Sequence, residues 1–516
     1  MKGGSTLKVI CIILFILSLN SGLKAEVLKV SIVDIDTRLL EPATVISTQE
    51  SMVASLLYAS LIDLDEESGY FVGGLAKRFY WEEDSLILKI REKVKSVKGD
   101  TIDSDQIMAS IIRSFYLSQN IPGNIQKYLC PKVDFTILQK NQTCENIKKI
   151  DRNTLSLTFP FKSQAFIEFL SSPVFGVVPS IAYRNDFKIV DFHNSTGRYS
   201  FHSISKNSLV LKRNKNHWNN KTTGPDEIVF IRDFSDENGN WASEKQIVEG
   251  KIDLIPTALS FGRDVQRKFE KELKDPHFYE SDATRVSTLI FTPKGMQIPK
   301  KERQIIANIL HQKYQKFIDT LKNFDGGIVQ VLLKGSYGSF GGPEFAKRRK
   351  ILDSIPVIWP KGIKVRIALQ DQYTINYYKE KIYNDMDEYI EYVKRDPSNY
   401  LDADLQDRDM PHLSFQSFNV DFREVFEGTS FLLKTHKFNK RDQEADQWLD
   451  TYIRELDSSV REKMLLDLHF DSVVINPSII PLYTRVNIGV SANGWKMGGM
   501  NRMTGNTVLW KMYKEK

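Results

Sequence analysis

Cysteine is scarce in this chain, three in 516 residues, and histidine is hardly commoner at eight. The histidines are scattered, and neither His-Glu-x-x-His nor a paired Cys-x-x-Cys occurs, so no metal site declares itself. The richest glycine run is Gly335-Ser336-Tyr337-Gly338-Ser339-Phe340-Gly341-Gly342. It lacks the Gly-Lys-Ser/Thr ending of a phosphate loop and the centred serine of a nucleophile elbow, and it reads as a surface loop. No basic block accompanies the formal net charge of +6, which argues against the clustered Lys/Arg face of a nucleic-acid binder. Asp385, Asp387 and Glu388 stand close together, but on the helix expected there they fall beside or opposite the apolar stripe, as a solvated face does. A secreted hydrolase would need a nucleophile and a base, and no such pair can be named. No internal repeat or low-complexity tract is present.

Long apolar runs are missing apart from Val9 to Leu19, eleven residues behind Lys2 and Lys8 and ahead of the polar stretch Asn20 to Ala25. That order of regions is a secretory signal peptide with cleavage expected after Ala25, and the run is too short to span a bilayer comfortably. Cys11 lies inside the run with no small-residue box before it, which argues against a lipidated N-terminus. The mature chain is expected to start at Glu26, in the periplasm. Only Cys130 and Cys144 remain after cleavage, thirteen residues between them. In an oxidising compartment such a pair is expected to close a local disulfide loop, the alternative being two buried thiols.

What is present suits well-packed lobes: 41% hydrophobic and 11% aromatic residues, spread over a length that calls for two or three domains. Leu28-Lys29-Val30-Ser31-Ile32 alternates as a strand does, and Leu86 to Arg91 reads as another. Behind an Asp/Ser cap at Asp103 and Ser104, Ile107, Ile111, Ile112 and Phe115 recur at helical spacing. Ser208 to Lys212 and Glu227 to Ile231 are further strands. Later, Ile363 to Leu369 alternates, and Ile375, Tyr378, Ile382, Met386, Tyr389 and Val393 follow at helical spacing. This reads as a strand feeding an amphipathic helix, with Leu413 to Phe422 as a second strand parallel to the first. Strands and helices interleave, so the class is α/β or α+β.

A series of segments also runs in fixed order: Leu40-Glu41-Pro42, Leu57-Tyr58-Ala59-Ser60-Leu61, Leu75-Ala76 before Trp81, and Leu88-Lys89-Ile90-Arg91-Glu92. After it comes Val94 to Ile107, with Ser110 and Arg113 on the helix, then Ser195-Thr196-Gly197-Arg198-Tyr199, Leu211-Lys212-Arg213-Asn214 with Trp218, and Glu249-Gly250-Lys251-Ile252-Asp253. This succession resembles the extracellular solute-binding protein family 5, the oligopeptide-, dipeptide- and nickel-binding proteins of bacterial ABC importers. Two departures stand out. Ser195 to Tyr199 replaces the usual Gly-Thr-Gly-Pro-Tyr, and Gly73 replaces a usual proline ahead of the Leu-Ala pair. Beyond about residue 255 the match is patchy: Arg303-Gln304 on a helix, Phe418 and Asp421 at a strand end, and Pro477 with Ile480-Pro481-Leu482-Tyr483.

The resemblance implies an α/β, two-lobed periplasmic binding protein of type II, large cluster, with an extra subdomain in the first lobe. The expected layout is signal peptide 1–25, lobe I 26–285 with the subdomain at about 66–190, lobe II 286–478, and a C-terminal return to lobe I over 479–516. It implies a monomer that binds a peptide-like ligand in the cleft by hinge closure and meets the permease of an ABC importer, with no cofactor. Crossings between lobes are expected near Ser281 to Thr292 and Pro477 to Arg485. In the family an acid behind an aromatic holds the ligand's α-amino group. Phe418-Asn419-Val420-Asp421-Phe422 supplies that order and makes Asp421 the anchor candidate, while counting back from Thr429-Ser430-Phe431-Leu432 points to Glu424. A surface acid at a strand end is the plain alternative. The same fold could serve a ligand-sensing receptor or bind a sugar, a metal chelate or an opine.

Overall fold

The computed structural model describes residues 26–514 except 46, 66–69, 119–124, 138–142, 220–223, 235–240, 258–262, 321–329, 333–338, 370–371, 395–409, 420–431, 433–441, 456 and 501–506. The leader expected over residues 1–25 lies outside the described residues. Strand β1 (Val27–Ile32) opens the fold. Leu28, Val30 and Ile32 are wholly buried and Lys29 is exposed, so the alternation read from the sequence is the alternation of faces. Helix α1 (Thr48–Leu57) starts at a reciprocal Ser47/Glu50 capping box. An antiparallel four-stranded sheet follows, built from β2 (Ala76–Glu82), β3 (Ser85–Ile90), β4 (Ile147–Asp151) and β5 (Thr154–Thr158) in the order β2-β3-β5-β4. Between β3 and β4 runs α2 (Ser104–Leu117), capped by the Asp103 carboxylate on Gln106 N–H and burying Ile107, Ile111, Ile112 and Phe115.

The chain then forms β6 (Tyr199–Ile204), β7 (Ser208–Arg213), β8 (Glu227–Arg232), the short β9 (Leu254–Ile255) and the fifteen-residue β10 (His277–Phe291). Helices α3 (Lys300–Thr320) and α4 (Gly342–Asp353) precede β11 (Val365–Leu369), β12 (Ile390–Lys394) and β13 (Leu413–Asn419). Helices α5 (Asp442–Arg454) and α6 (Ser458–Phe470) lead to the thirteen-residue β14 (Ile479–Ser491). Ten strands join one mixed sheet in the order β12-β11-β13-β10-β14-β9-β1-β8-β7-β6. Strand β1 lies parallel to β8 and β9, and β11 lies parallel to β12 and β13.

Separate cores flank the two ends of this sheet. Leu28, Val30, Leu209, Leu211, Ile228 and Phe230 pack with Trp495, Leu509 and Met512 from the C-terminal stretch. Leu289, Phe291, Ile306, Leu310, Ile367 and Leu413 pack in another core. A third core centres on the four-stranded sheet and also takes in Val286, Ile290, Tyr452, Leu465 and Ile479 from the later part of the chain.

One expected element is corrected. The helix after β11 covers Gln372–Tyr377 and continues as a π-type turn, Tyr378–Ile382. It ends at Tyr383, so Met386 and Tyr389 fall in turns and Val393 lies in β12. Ile390-Glu391-Tyr392-Val393 is rich in β-branched and aromatic residues, and the open edge of β11 offers it a parallel partner, Ile367 opposite Tyr392. Asp385 and Asp387 are ion-paired with Lys313 and Lys379 at the surface. The strand expected to run parallel to β11 does so as β13, with Ile367 opposite Leu413.

Candidate ligand-binding site

Phe418 is the last but one residue of β13, whose register on β10 sets it opposite Val286, next to the Ser287–Ser417 row where the two hydroxyls are 2.7 Å apart. Val286 in turn faces Thr484 on β14. Three strands from distant parts of the chain therefore meet at this row, beside the core shared by the four-stranded sheet and α5 and α6. The β10/β14 pairing breaks register between Glu280 and Ala283, between Ala283 and Arg285, and between Ser287 and Thr288. Breaks of this kind bend a strand locally and increase its twist. Asp421 and Glu424 lie two and five residues past the end of β13, outside the described residues.

Close by, α5 reaches the four-stranded-sheet region. Tyr128 donates its phenol to Asp450 at 3.2 Å, and the Arg454 guanidinium lies 4.6 Å from the Phe161 ring centroid while also bonding Asp450 at 2.8 Å. Burial, reinforced by the Asp450 charge, pushes the Tyr128 phenol up to about 12, so it stays a donor at neutral pH. Nothing in local sequence pattern points to this cluster, because its members are 322 positions apart.

The segments singled out in the sequence also come together. Gly197 N–H donates to Leu57 O at 2.7 Å, Asn214 donates to Gly197 O at 2.8 Å, and Thr196 Oγ1 accepts from Ala59 N–H at 3.0 Å. A Cβ on Gly197 would collide with the end of α1, at 2.6 Å from Leu57 O among closer contacts. Gly73 has a similar reason to depart from proline: a Cβ there would stand 2.5 Å from Ala76 O and 2.7 Å from Lys77 O. Its carbonyl, with that of Gly74, accepts from Arg91, which stacks over Trp218 at 4.1 Å. These contacts build the frame and place no group for chemistry. Cys130 and Cys144 stand in disulfide geometry with their Cα atoms 4.5 Å apart. Among the described residues no group of three or more His, Cys, Asp and Glu is arranged to hold a metal, and no helix is long and apolar enough to cross a membrane.

Residues 71–308 match the model of the bacterial extracellular solute-binding proteins, family 5, middle region. Over that stretch the chain resembles this family. No curated protein matches its sequence. Among solved structures it is similar to the Escherichia coli murein tripeptide binding protein MppA at 16% identity and a TM-score of 0.71, over 96% of this chain and 99% of that one. Brucella suis NikA in complex with Fe(III)-EDTA is similar at 14% identity and TM-score 0.74, over 95% of this chain and 100% of that one. AgaA from A. tumefaciens R10 in complex with agropinic acid is similar at 15% identity and TM-score 0.68, over 95% and 99%. The chain thus has the periplasmic solute-binding fold. The ligands of these three proteins, a tripeptide, a metal chelate and an opine, differ widely in chemistry.

Proposed function

We propose that this protein is the family 5 substrate-binding component of an ABC importer, working in the periplasm as a monomer after cleavage behind Ala25, and that it captures a peptide or similar small solute. In this reading lobe I is 26–285 with an extra subdomain at about 66–190, lobe II is 286–478, and 479–516 returns to lobe I. The observation that carries the reading is the β10/β14 ribbon. Its two long strands pair along their length, join sheet halves with cores of their own, and break register three times beside the row that holds Phe418. A few such irregular positions are what a hinge needs to absorb changes of φ and ψ. The contacts of Tyr128 and Phe161 with α5 are of the kind that bring two walls of a cleft together.

Ligand capture then works by closure, since the closed state is favoured by as much as the ligand prefers it. An extended peptide would lie along the exposed backbone like an added strand, with its ammonium on Asp421 or Glu424. Mass spectrometry of what co-purifies identifies the solute, and small-angle scattering with and without it tests closure. A smaller radius on saturation is expected, and an unchanged radius would remove the clamp. Ligand-dependent stimulation of a reconstituted permease and ATPase separates import from a sensing role.

A further inference from the structure

Of the three arginines buried in the second half of the chain, Arg303, Arg348 and Arg461, the first two are treated differently. Arg303, 5% exposed, is fully supplied: it donates to Met296 O at 3.0 Å, Ile298 O at 2.6 Å, Pro477 O at 3.3 Å and the Asn476 side chain. Arg348, on α4 and 7% exposed, has no hydrogen-bond or ion-pair partner among the described residues, and its Nε–H is wholly buried. Burial pushes its pKa down only to about 10, so the guanidinium is still cationic at neutral pH. A buried charge without a partner is strongly penalised.

Arg348 lines a cavity of about 10 Å³ between α3, α4 and the chain leading into β14. That is the room one water or one ion of similar size takes. Gln304, Asn308 and His311 supply the other polar wall. Their donors are largely committed: Gln304 Nε2 to Val474 O and Ile475 O, one Asn308 amide hydrogen to Leu352 O, and His311 Nδ1 to Pro481 O at 2.9 Å. Among the described residues no carboxylate lines the cavity. A cation at the wall of so small a cavity, with no acid among the described residues to neutralise it, calls for a small negative partner.

We propose that this cavity is a site for a single small monovalent anion of the halide class, held by the Arg348 guanidinium and separate from the solute site. Its small volume favours a monatomic ion over sulfate or a carboxylate. An anion that binds the folded chain alone stabilises it by mass action. Thermal unfolding of the mature chain at constant ionic strength in chloride, bromide, sulfate and gluconate tests this. Chloride and bromide are expected to raise the midpoint by a few degrees in a saturable way, with sulfate and gluconate lacking that rise, and Arg348→Met is expected to abolish the difference. Equal responses to all four salts, or a halide-specific rise that survives in Arg348→Met, would overturn the site. Should Arg348→Met fail to fold, anomalous diffraction from bromide-soaked crystals of the unaltered chain decides. A peak within hydrogen-bonding reach of Arg348 supports the proposal, and bromide at the protein surface alone refutes it.

Discussion

Arg113 and Glu41, 72 residues apart, meet in a two-pronged ion pair, with Nη1 2.9 Å from Oε1 and Nη2 2.5 Å from Oε2. The arginine is completely buried, while Glu41 keeps a little exposure. Arg113 also donates Nε–H to Phe187 O at 2.9 Å and lies over the Tyr183 ring. Glu41 in turn caps the turn Pro42–Thr44 through Ala43 N–H. The pair therefore ties α2 to the segment that follows β1.

Removing one partner leaves the other charge buried and uncompensated. Glu41→Gln is expected to cost about 3 to 5 kcal/mol of unfolding free energy, measured by urea titration. Adding Arg113→Met should recover part of the loss, since an apolar side chain in that place has no charge to bury. A double variant no more stable than Glu41→Gln would show that Arg113 acts through Phe187 and Tyr183 instead.

Both members of this pair sit in segments that stood out in the sequence, yet their meeting was not legible there. Local patterns carry the strands and helices, as with the alternation of Leu28 to Ile32 and the Asp103 cap. Pairing across 72 or 322 positions leaves no local trace. The misread stretch from Met386 to Val393 has a different cause. Apolar residues at helical spacing there also fit a strand over Ile390 to Val393, and the edge of β11 decides between the two. For the site, Phe418 falls on β13 within the strand expected over Leu413 to Phe422, while the candidate acids Asp421 and Glu424 lie outside the described residues.

Cys130 and Cys144 are both buried. Thiol labelling of the denatured, unreduced chain is expected to find neither free, and reduction should cost about 3 kcal/mol in the chain-entropy account of so short a loop. Two free thiols before reduction would show a packed pair without a bond. Urea unfolding with and without reductant gives the magnitude.

His217 and His311 should make the fold sensitive to acid. Burial comes first among the causes that bring each pKa down to about 4, followed by the positive charge of Arg198 for His217 and of Arg348 for His311. In the unfolded chain a histidine titrates near 6.5, so between the two values the unfolded state binds more protons. The stabilisation is complete above about pH 6.5 and is lost as the pH falls towards 4, amounting to about 2 kcal/mol per histidine between pH 7 and pH 5. Urea unfolding at those two pH values measures it. His217→Gln should flatten the dependence by its share, and an unchanged slope would mean that His217 is protonated in the folded chain.

The ligand's ammonium provides the last test. A charge taken into a closing cleft needs a carboxylate, because an isolated buried ion is strongly disfavoured. β13 brings Phe418 to the row beside which β10 and β14 break register, and Asp421 follows three residues later. Asp421→Asn is expected to weaken binding of a free-amine peptide by roughly 2 to 5 kcal/mol, the usual cost of breaking a buried charge pair. An N-acetylated analogue offers no ammonium and should be much less affected. Glu424→Gln is the control: a loss there with Asp421→Asn silent moves the anchor three residues along. Calorimetry on both variants with the co-purified solute distinguishes the cases. If neither changes affinity, the solute is held without an amine contact, and the chelate and opine chemistries bound by similar structures become the ones to try.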